Sequence, residues 1–404
     1  MKSIYHDAEL LFCSRCSYLT SITWHDDPKY RGLKEEFDKP LRDALKKRFD
    51  KFAGLRRWNY QQQDRCIFDL ERVTAQGGRL RMSISPARAG IILDSPSPSD
   101  AWSGLLARLG ELAVTCASPV DLHNQTVAPD RLLAETAWAL WGTYPEAGPR
   151  TATQLKEWCA DPSGIGRAVL VLDALFLREM PWLLGGAQAR HIQPTDVRVT
   201  GAKAPFDTGQ SAHELGLPSR SHLAVNSAPD SFNLFASKAY TNVISVPFEE
   251  AVGGIHHEST VFLWHSWHDD LIHVHKKLPN LIYKTATATL QDDGFWKFIN
   301  RLRQGRKLVI TTDHGYAMSR LFSSEEIKTD VIENLRQTFG AARYKKANDP
   351  WQEQFMPPIM VSTNEHHIIM GRRKWKFQGG FPHVCHGSLS LLEVALPFVE
   401  LPPL

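Results

Sequence analysis

Short apolar runs alternate with helical segments in the second half of the chain, and this alternation limits the fold more than any other feature. Continuous apolar runs are typical of strands that are buried on both faces, and helices between them favour a mainly parallel sheet covered on both sides. The sequence therefore predicts an α/β fold. The runs are RAVLVLDA (167–174), NVISVPF (242–248), STVFLWHS (259–266) and KLVITTD (307–313), with helical patterns at 205–216, 268–278 and 292–304.

The first 150 residues have a different pattern from the rest. Residues 1–60 are polar with a helical pattern, whereas 66–95 contain short β-branched runs around a Gln-Gly-Gly turn, which favours a hairpin. The Pro- and Gly-rich stretch TYPEAGPRTA (143–152) is a candidate boundary. A chain of 404 residues with 43% hydrophobic residues is long enough for two domains. We therefore predict a separate N-terminal α+β domain over 1–150, with no role indicated, and a second domain over 151–404.

Composition excludes several classes of protein. The most apolar run, AVLVLDALFL (168–177), is broken by Asp173 and is much shorter than the ~20 residues of a membrane-spanning helix. The N-terminus lacks the long apolar stretch of a signal peptide, so we expect a cytoplasmic protein without a membrane partner. A net charge of +3 is too small to indicate a nucleic-acid partner by itself.

Three aspartates fall at or just past the ends of predicted strands. Asp173, Asp269 and Asp313 each occupy a position where a carboxylate can also cap a helix or close a turn. In a parallel sheet, however, these strand ends meet at one edge, where ligands usually bind. Carboxylates that are buried together repel each other, and a divalent cation is the simplest partner for several at once. The three positions therefore predict a metal site.

Histidines accompany two of these aspartates. In WHSWHDDLIHVH (264–275), Asp269 and His273 are four residues apart, which places both on one face of a helix. The same segment offers two other pairs, Asp270 with His273 and His265 with Asp269, and its residues could instead form a polar helix start. An oxygen and an imidazole on one helix face make a two-ligand pair for zinc or manganese.

Two further elements complete the candidate set. Asp313-His314 forms a second pair, and Gly315 allows a tight backbone turn beside a ligand. Near the end of the chain, PHVCHGSLSLLEVALPFVEL (382–401) contains His383 and His386 ahead of a buried strand, ALPFVEL. Either histidine could supply the last ligand from the far end of the sequence.

The order of these elements resembles the PglZ domain, a branch of the alkaline phosphatase superfamily. The resemblance covers about 165–404, and its specific part is TTDHGY (311–316) together with the terminal HGSLSLLE (386–393). It implies a three-layer α/β/α sandwich of alkaline phosphatase type, with two divalent metal ions, Zn or Mn, at the carboxyl edge of the sheet.

The resemblance also implies a role for each candidate residue. One metal would be held by Asp173, Asp313, His314 and the nucleophile's oxygen, and the other by Asp269, His273 and His386. The nucleophile of such enzymes is a Thr or Ser that opens a helix after the first metal aspartate. The matching residue is Thr208, although Thr195 and Thr200 lie close in sequence and Thr208 could simply cap the helix.

The resemblance favours a metal-dependent phosphodiesterase or nuclease that acts on nucleic acid or oligonucleotides, in bacterial anti-phage defence. GRRKWKF (371–377) and AARYKK (341–346) offer cations for phosphates and aromatic rings for bases, although both could be solvated basic segments. The alternatives are a phosphomonoesterase or phosphomutase on a small molecule, and a non-enzymatic scaffold that binds other defence proteins. The sequence does not indicate the oligomeric state.

Overall fold

The computed structural model places the predicted strands in one central sheet. It describes residues 8–12, 19–24, 95–116, 122, 125–127, 129–130, 133–134, 137–160, 164–236, 238–275, 278–318, 329–348, 358–373, 375 and 384–404. The predicted hairpin at 66–95 and His383 lie outside these ranges. The described strands are β1 (Ala8–Phe12), β2 (Leu19–Trp24), β3 (Gly166–Leu172), β4 (Asp196–Gly201), β5 (Tyr240–Ile244), β6 (Thr260–His265), β7 (Arg306–Thr311), β8 (Ala317–Met318), β9 (Tyr344–Lys346), β10 (Met360–Ser362), β11 (His366–Ile369), β12 (Val384–Cys385) and β13 (Ala395–Leu401).

Helices connect these strands at about the predicted positions. The described helices are α1 (Pro98–Thr115), α2 (Trp138–Ala147), α3 (Thr151–Ala160), α4 (Met180–Gln188), α5 (Thr208–Glu214), α6 (Phe248–Ala251), α7 (Trp267–His275), α8 (Pro279–Gln291), α9 (Asp293–Arg303), α10 (Thr329–Phe339) and α11 (Leu391–Val394). Short 3₁₀ segments lie at Leu177–Glu179, Arg220–Asn226 and Val252–Gly254. The first described residues form the antiparallel pair β1–β2, so the helical pattern predicted for 1–60 is wrong there.

The central sheet has six strands in the order β4-β13-β7-β3-β6-β5. Strands β7, β3, β6 and β5 pair in parallel, which confirms the predicted mainly parallel sheet. The last strand, β13, runs antiparallel to both of its neighbours, β7 and β4. The chain thus ends inside the sheet, and its final strand joins β4 to the parallel strands.

The sheet is covered on both faces, because alternate residues of each strand enter different apolar clusters. In β3, Ala168 and Leu170 belong to the cluster that contains Trp102 of α1, whereas Val169 and Val171 belong to the cluster that contains Leu155 of α3. This is the alternation that a strand's two-residue period produces. The fold is therefore a three-layer α/β/α arrangement, as predicted.

The candidate boundary at 143–152 lies at a junction between two helices. Residues up to Ala147 belong to α2, which contains Pro145, and α3 begins four residues later at Thr151. The helices α1 and α2 share one apolar core with the sheet, and the Tyr144 hydroxyl donates to the Ala202 carbonyl at 2.6 Å. The division of the chain into 1–150 and 151–404 stays a prediction.

The described arginines of the basic segment GRRKWKF do not form the exposed surface that the sequence suggested. Arg372 is completely buried, pairs with the Asp130 carboxylate, and donates to the Thr126 hydroxyl at 2.7 Å. Arg373 and Trp375 are buried as well. The described part of this segment therefore stabilises the interior, because its cations have partners that are distant in sequence.

The second basic segment is divided between the interior and the surface. Arg343 is buried, and its guanidinium lies 4.1 Å from the ring centroid of Trp375. The two lysines of this segment, Lys345 and Lys346, are exposed on β9. Among the cationic side chains of residues 341–346, these two lysines lie at the surface, where contact with a phosphate backbone is possible. Across the described residues, we find no helix with the length and apolarity needed to span a membrane.

We predict that Arg372→Ala lowers the free energy of unfolding by about 3–5 kcal/mol, because it leaves the buried Asp130 carboxylate without its counterion. Urea denaturation followed by circular dichroism measures this change. The control is Arg108→Ala, since Arg108 and Glu111 form an exposed pair on α1 and should change stability by at most about 0.5 kcal/mol. If Arg372→Ala is as stable as the parent, Arg372 does not form a buried ion pair with Asp130.

Candidate metal centre

Acidic residues and histidines converge at the carboxyl edge of the sheet. Asp173 follows β3, His314 follows β7, and Asp269 lies in the first turn of α7, directly after β6. Because β7, β3 and β6 are adjacent and parallel, their ends deliver these side chains to one place. Asp173, Asp269 and His314 each offer one ligand atom, and these atoms lie within 4.8 Å of one another. We call these three residues the metal group.

Thr208 is the first residue of α5, and its hydroxyl points at this group. The Thr208 Oγ1 atom lies 2.7 Å from Asp313 Oδ2, 3.3 Å from Asp173 Oδ1 and 3.3 Å from His314 Nε2. The helix is capped by the Asp207 side chain rather than by Thr208. The threonine hydroxyl is therefore available to the group and is not needed to cap the helix.

The two other candidate threonines lie elsewhere. Thr200 is buried on β4, where its hydroxyl lies 2.7 Å from that of Thr151. Thr195 is exposed and donates to the Glu400 carbonyl at 3.4 Å. Of the three hydroxyls that the sequence left open, Thr208 is the one that the structure brings to the metal group. Its role as nucleophile stays a prediction.

Asp269 and His273 do share one face of α7. His273 Nε2 lies 3.4 Å from Asp269 Oδ1, although most of the His273 side chain is exposed. The Tyr316 hydroxyl donates to the same Asp269 oxygen at 2.5 Å. The predicted pair is therefore formed, with Asp269 on the inner side and His273 on the solvent side.

The two rival pairs are not formed. Asp270 accepts a hydrogen bond from the Ser266 hydroxyl at 2.6 Å. His265 is buried and stacks on Phe248 at a centroid distance of 4.1 Å, and burial lowers its pKa to about 4. Both side chains thus have partners away from the metal group, so the alternatives Asp270–His273 and His265–Asp269 lose their support.

His386 joins the cluster from the end of the chain. Its ring stacks on that of His314 at a centroid distance of 4.7 Å. Burial, together with the neighbouring His314, lowers the pKa of His386 to about 4, so the ring is neutral at neutral pH and can act as a metal ligand. The structure therefore brings the far end of the sequence to the site, as predicted.

Backbone carbonyls orient both histidine rings. His386 Nδ1 lies 3.3 Å from the Phe206 carbonyl, and His314 Nδ1 lies 3.2 Å from the Gly315 carbonyl. A proton on Nδ1 of each ring would satisfy these carbonyls and would leave the Nε2 lone pair for a metal ion. The contacts are therefore compatible with the tautomer that ligation requires.

The donor set fits divalent cations such as Zn²⁺ or Mn²⁺. It combines carboxylate oxygens with imidazole nitrogens, the ligand types that suit these ions, and it places carboxylates close together. The resemblance assigns Asp173 and His314 to one ion and Asp269 to the other, whereas the structure places all three together in the metal group. How the seven candidate residues divide between two ions stays a prediction.

Two residues that contact Asp173 were missed from the sequence. The Trp264 indole Nε1 donates to Asp173 Oδ2 at 3.1 Å, and the Arg220 guanidinium pairs with the same oxygen. Trp264 could have been found, because β6 pairs with β3 in a register that places Trp264 opposite Val171, two residues before Asp173. Arg220 had no sequence signal, since it lies in a segment without regular periodicity.

Ala174 links two strand ends through an uncommon backbone conformation. Its φ is 60°, a left-handed value that costs non-glycine residues energy and that tends to occur at functional sites. In this conformation, the Ala174 amide donates to Asp313 Oδ1 at 2.9 Å. The backbone after β3 thus holds the carboxylate that follows β7.

The terminal motif HGSLSLLE forms a buried turn behind the site. Glu393 is completely buried and accepts hydrogen bonds from the Ser388 amide at 2.6 Å and the Ser390 hydroxyl at 2.8 Å. The Glu393 carbonyl accepts from the Gly315 amide at 3.1 Å. A Cβ at position 315 would lie 2.1 Å from the Leu392 carbonyl oxygen, so a glycine is needed there. The sequence suggested a glycine for a tight turn beside a ligand, whereas the structure gives the close Leu392 backbone as the reason.

No family model matches this sequence, and no curated protein matches it. Solved structures that match in part include murine ectonucleotide pyrophosphatase/phosphodiesterase 5, with 14% identity, a TM-score of 0.37, and coverage of 59% of this chain and 88% of that chain. Another is phosphonoacetate hydrolase from Sinorhizobium meliloti 1021 in complex with phosphonoformate, with 12% identity, a TM-score of 0.36, and coverage of 59% and 90%. Likenesses this partial carry no conclusion about family or activity, and the fold described above rests on its own sheet topology.

We predict that Asp173→Asn weakens divalent-metal binding at least about tenfold, because it removes a charged ligand of the metal group. Titration of chelator-treated protein with Mn²⁺ in a calorimeter, together with elemental analysis, measures affinity and stoichiometry. The matched control is Asp270→Asn, since Asp270 is the neighbour of Asp269 but bonds to Ser266. Equal losses in the two variants would show that the metal group has been assigned to the wrong carboxylates.

Glu393 makes the stability of this turn depend on pH. Burial raises the pKa of its carboxyl from 4.5 to about 8, although the hydrogen bonds from Ser388 and Ser390 partly oppose this. The folded protein therefore holds a proton that the unfolded chain releases, so this contribution to stability is complete below about pH 4.5 and is lost as the pH rises towards 8.

We predict that the parent protein loses about 2–3 kcal/mol of stability relative to Glu393→Gln between pH 5.5 and 7.5, because the glutamine cannot ionise. Urea denaturation of both proteins at the two pH values measures the difference. Other titrating groups are shared by the two proteins and cancel. Parallel pH profiles would mean that Glu393 is not held in its protonated form.

Proposed function

We propose that this protein is a metal-dependent phosphoric ester hydrolase that attacks its substrate with Thr208 and uses two divalent ions, Zn²⁺ or Mn²⁺. The observation that carries the proposal is the position of the Thr208 hydroxyl, 2.7 Å from Asp313 and 3.3 Å from Asp173 and His314. A nucleophile, carboxylates and imidazoles at one edge of the sheet are the parts that this chemistry requires.

Each residue has a role that follows from its contacts. Thr208 Oγ1 would form a bond to phosphorus as the P–O bond to the leaving alcohol breaks, and Asp313 Oδ2, its closest acceptor, would take the hydroxyl proton. The alcohol would leave with a proton from solvent, and water would then hydrolyse the phosphothreonine and restore the hydroxyl. Asp173, Asp269, Asp313, His273, His314 and His386 would hold the metal ions. When bound, these ions would lower the pKa of the hydroxyl and of water and offset the charge of the phosphate. Ala174 and Glu393 would position the ligands through the backbone.

A phosphodiester of nucleic acid or of an oligonucleotide is the first substrate class, because the resemblance to PglZ domains favours it. Of the described residues in the basic segments, Lys345 and Lys346 are exposed and support this substrate class, whereas Arg372 and Arg373 are buried. The role in anti-phage defence, the association with other defence proteins and the cytoplasmic location rest on the resemblance and on the sequence. We keep them as parts of the proposal.

A phosphomonoesterase or phosphomutase is the second candidate, and one observation favours it. Arg220 places a guanidinium at Asp173, and its side chain is 31% exposed at the site. Monoesters carry a doubly charged terminal phosphate that such a cation can contact. A scaffold without catalysis is the weakest reading, because the proposed positions are filled by residue types competent for catalysis and the structure brings them together.

Rates on bis-p-nitrophenyl phosphate and on p-nitrophenyl phosphate separate the two enzyme classes. We expect metal-loaded protein to hydrolyse the diester faster than the monoester and to lose its activity after chelation. Faster hydrolysis of the monoester would instead indicate a phosphomonoesterase or phosphomutase. Metal-loaded protein that hydrolyses neither ester would favour the scaffold.

We predict that Thr208→Ala lowers kcat by about a thousandfold or more while the protein still binds Mn²⁺ through the remaining candidate ligands, because the hydroxyl is the attacking group. Thr208→Ser should keep measurable activity, since it retains a hydroxyl at the same place. The control is Thr195→Ala, which removes an exposed hydroxyl bonded to Glu400 and should have no effect on kcat. Full activity in Thr208→Ala would remove this residue from the mechanism.

A further inference from the structure

The two oxygens of the Asp173 carboxylate face different partners. Oδ1 faces the metal group, with Thr208 Oγ1 at 3.3 Å and His314 Nε2 at 3.9 Å. Oδ2 is held by two N–H donors, the neutral indole of Trp264 at 3.1 Å and the charged guanidinium of Arg220. One carboxylate therefore connects the predicted metal ligands to a positive charge that belongs to the protein.

Arg220 is presented by an anchored segment. It opens the 3₁₀ segment Arg220–Asn226, whose Leu223 is completely buried in the same apolar cluster as Trp264. At the other end of the segment, the Asn226 side chain accepts from the Thr241 amide of β5 at 2.9 Å. These two attachments fix the segment to the sheet, so the guanidinium is held at Asp173 by the fold.

Arg220 also reaches solvent, whereas the carboxylate that it contacts does not. The Arg220 side chain is 31% exposed and that of Asp173 is 0% exposed. The guanidinium thus bridges from a buried carboxylate to the open side of the site. It has five N–H donors in all, and those not directed at Asp173 can bind a second anion.

We propose that Arg220 couples metal binding at Asp173 to the binding of an oxyanion, so that each strengthens the other. A dication at Oδ1 and the guanidinium at Oδ2 would share one carboxylate, and like charges this close oppose each other. An anion that contacts the exposed side of the guanidinium offsets this repulsion. The coupling must be reciprocal, because both ligands act on one equilibrium. The inference rests on the metal site of the proposed function and does not require the proposed catalysis.

Orientation is the competing explanation for the contact. A donor to the outer oxygen also fixes the carboxylate and can strengthen metal binding without any effect of charge. Trp264 and Arg220 separate the two effects, since they donate to the same oxygen and only Arg220 is charged. Arg220→Gln keeps a donor and removes the charge, Arg220→Lys keeps the charge, and Trp264→Phe removes the neutral donor.

The experiment is calorimetric titration of the chelator-treated full chain with Mn²⁺, with and without saturating methylphosphonate, an oxyanion that carries no ester to hydrolyse. We expect methylphosphonate to tighten Mn²⁺ binding about tenfold in the parent. Arg220→Gln should bind Mn²⁺ about tenfold more tightly without the anion and lose most of the coupling. Arg220→Lys should keep the coupling, and Trp264→Phe should keep it with weaker Mn²⁺ affinity.

The control variant is Arg190→Gln, because Arg190 pairs with the exposed Asp293 away from the metal group. The inference is overturned if Arg220→Gln keeps the parent's coupling, or if it and Trp264→Phe weaken Mn²⁺ binding alike. A parent that binds no Mn²⁺ overturns both this inference and the proposed function. If methylphosphonate still tightens Mn²⁺ binding in a protein that hydrolyses no phosphate ester, the inference is supported and only the proposed catalysis is refuted.

Discussion

The burial of the Asp173 carboxylate is the constraint on which the rest of the site depends. Asp173 lies at the end of β3, between the ends of β7 and β6, and its side chain is completely buried. A buried charge is costly unless it has partners, and it finds them in elements that are far apart in sequence. Trp264 and Arg220 donate to it, and the Thr208 hydroxyl lies 3.3 Å from its Oδ1 atom. Positioning these side chains brings α5, the Arg220–Asn226 segment and β6 to one place.

Local patterns in the sequence were sufficient for five of the six central strands, all except β4, and for the sheet edge at which the candidate residues lie. Apolar runs predict buried strands because a strand's side chains are set by its own residues, and parallel pairing then brings Asp173 and Asp313 to one edge. The i, i+4 spacing of Asp269 and His273 is also local, so their contact followed from the helix period alone. The sequence could not exclude Asp270 or His265, because their partners, Ser266 and Phe248, are tertiary details.

The errors have a common physical cause, which is that a charge pattern does not indicate burial. Arg372 looked exposed because arginine is rarely buried without a partner, and its partner Asp130 lies in a distant part of the chain. The composition of the Pro- and Gly-rich stretch at 143–152 likewise does not show that the Tyr144 hydroxyl donates to the Ala202 carbonyl. Arg220 was overlooked because its contact depends wholly on tertiary structure.

The motif that supported the resemblance most specifically turns out to contain a structural part. In HGSLSLLE, only His386 reaches the cluster of candidate ligands, whereas Glu393 and its two serine partners form the buried turn behind it. Gly315 packs against the same turn through its backbone. A match to this motif therefore indicates the buried turn that supports His314 and His386, and it carries little information about the substrate.

The charges at the site allow one further step towards the substrate. With the aspartates counted as ionised and the histidines as neutral, Asp173, Asp269, Asp313 and Arg220 carry three negative charges and one positive charge, a formal charge of −2. Two divalent ions would change the net charge of the site to about +2. A monoester dianion would neutralise this charge completely, and a diester monoanion would neutralise half of it. Without Arg220, the balance would be one positive charge, which suits a diester. The guanidinium on the outer oxygen of Asp173 thus bears on the choice between the two proposed substrate classes, and it does so through charge rather than through the shape of a pocket.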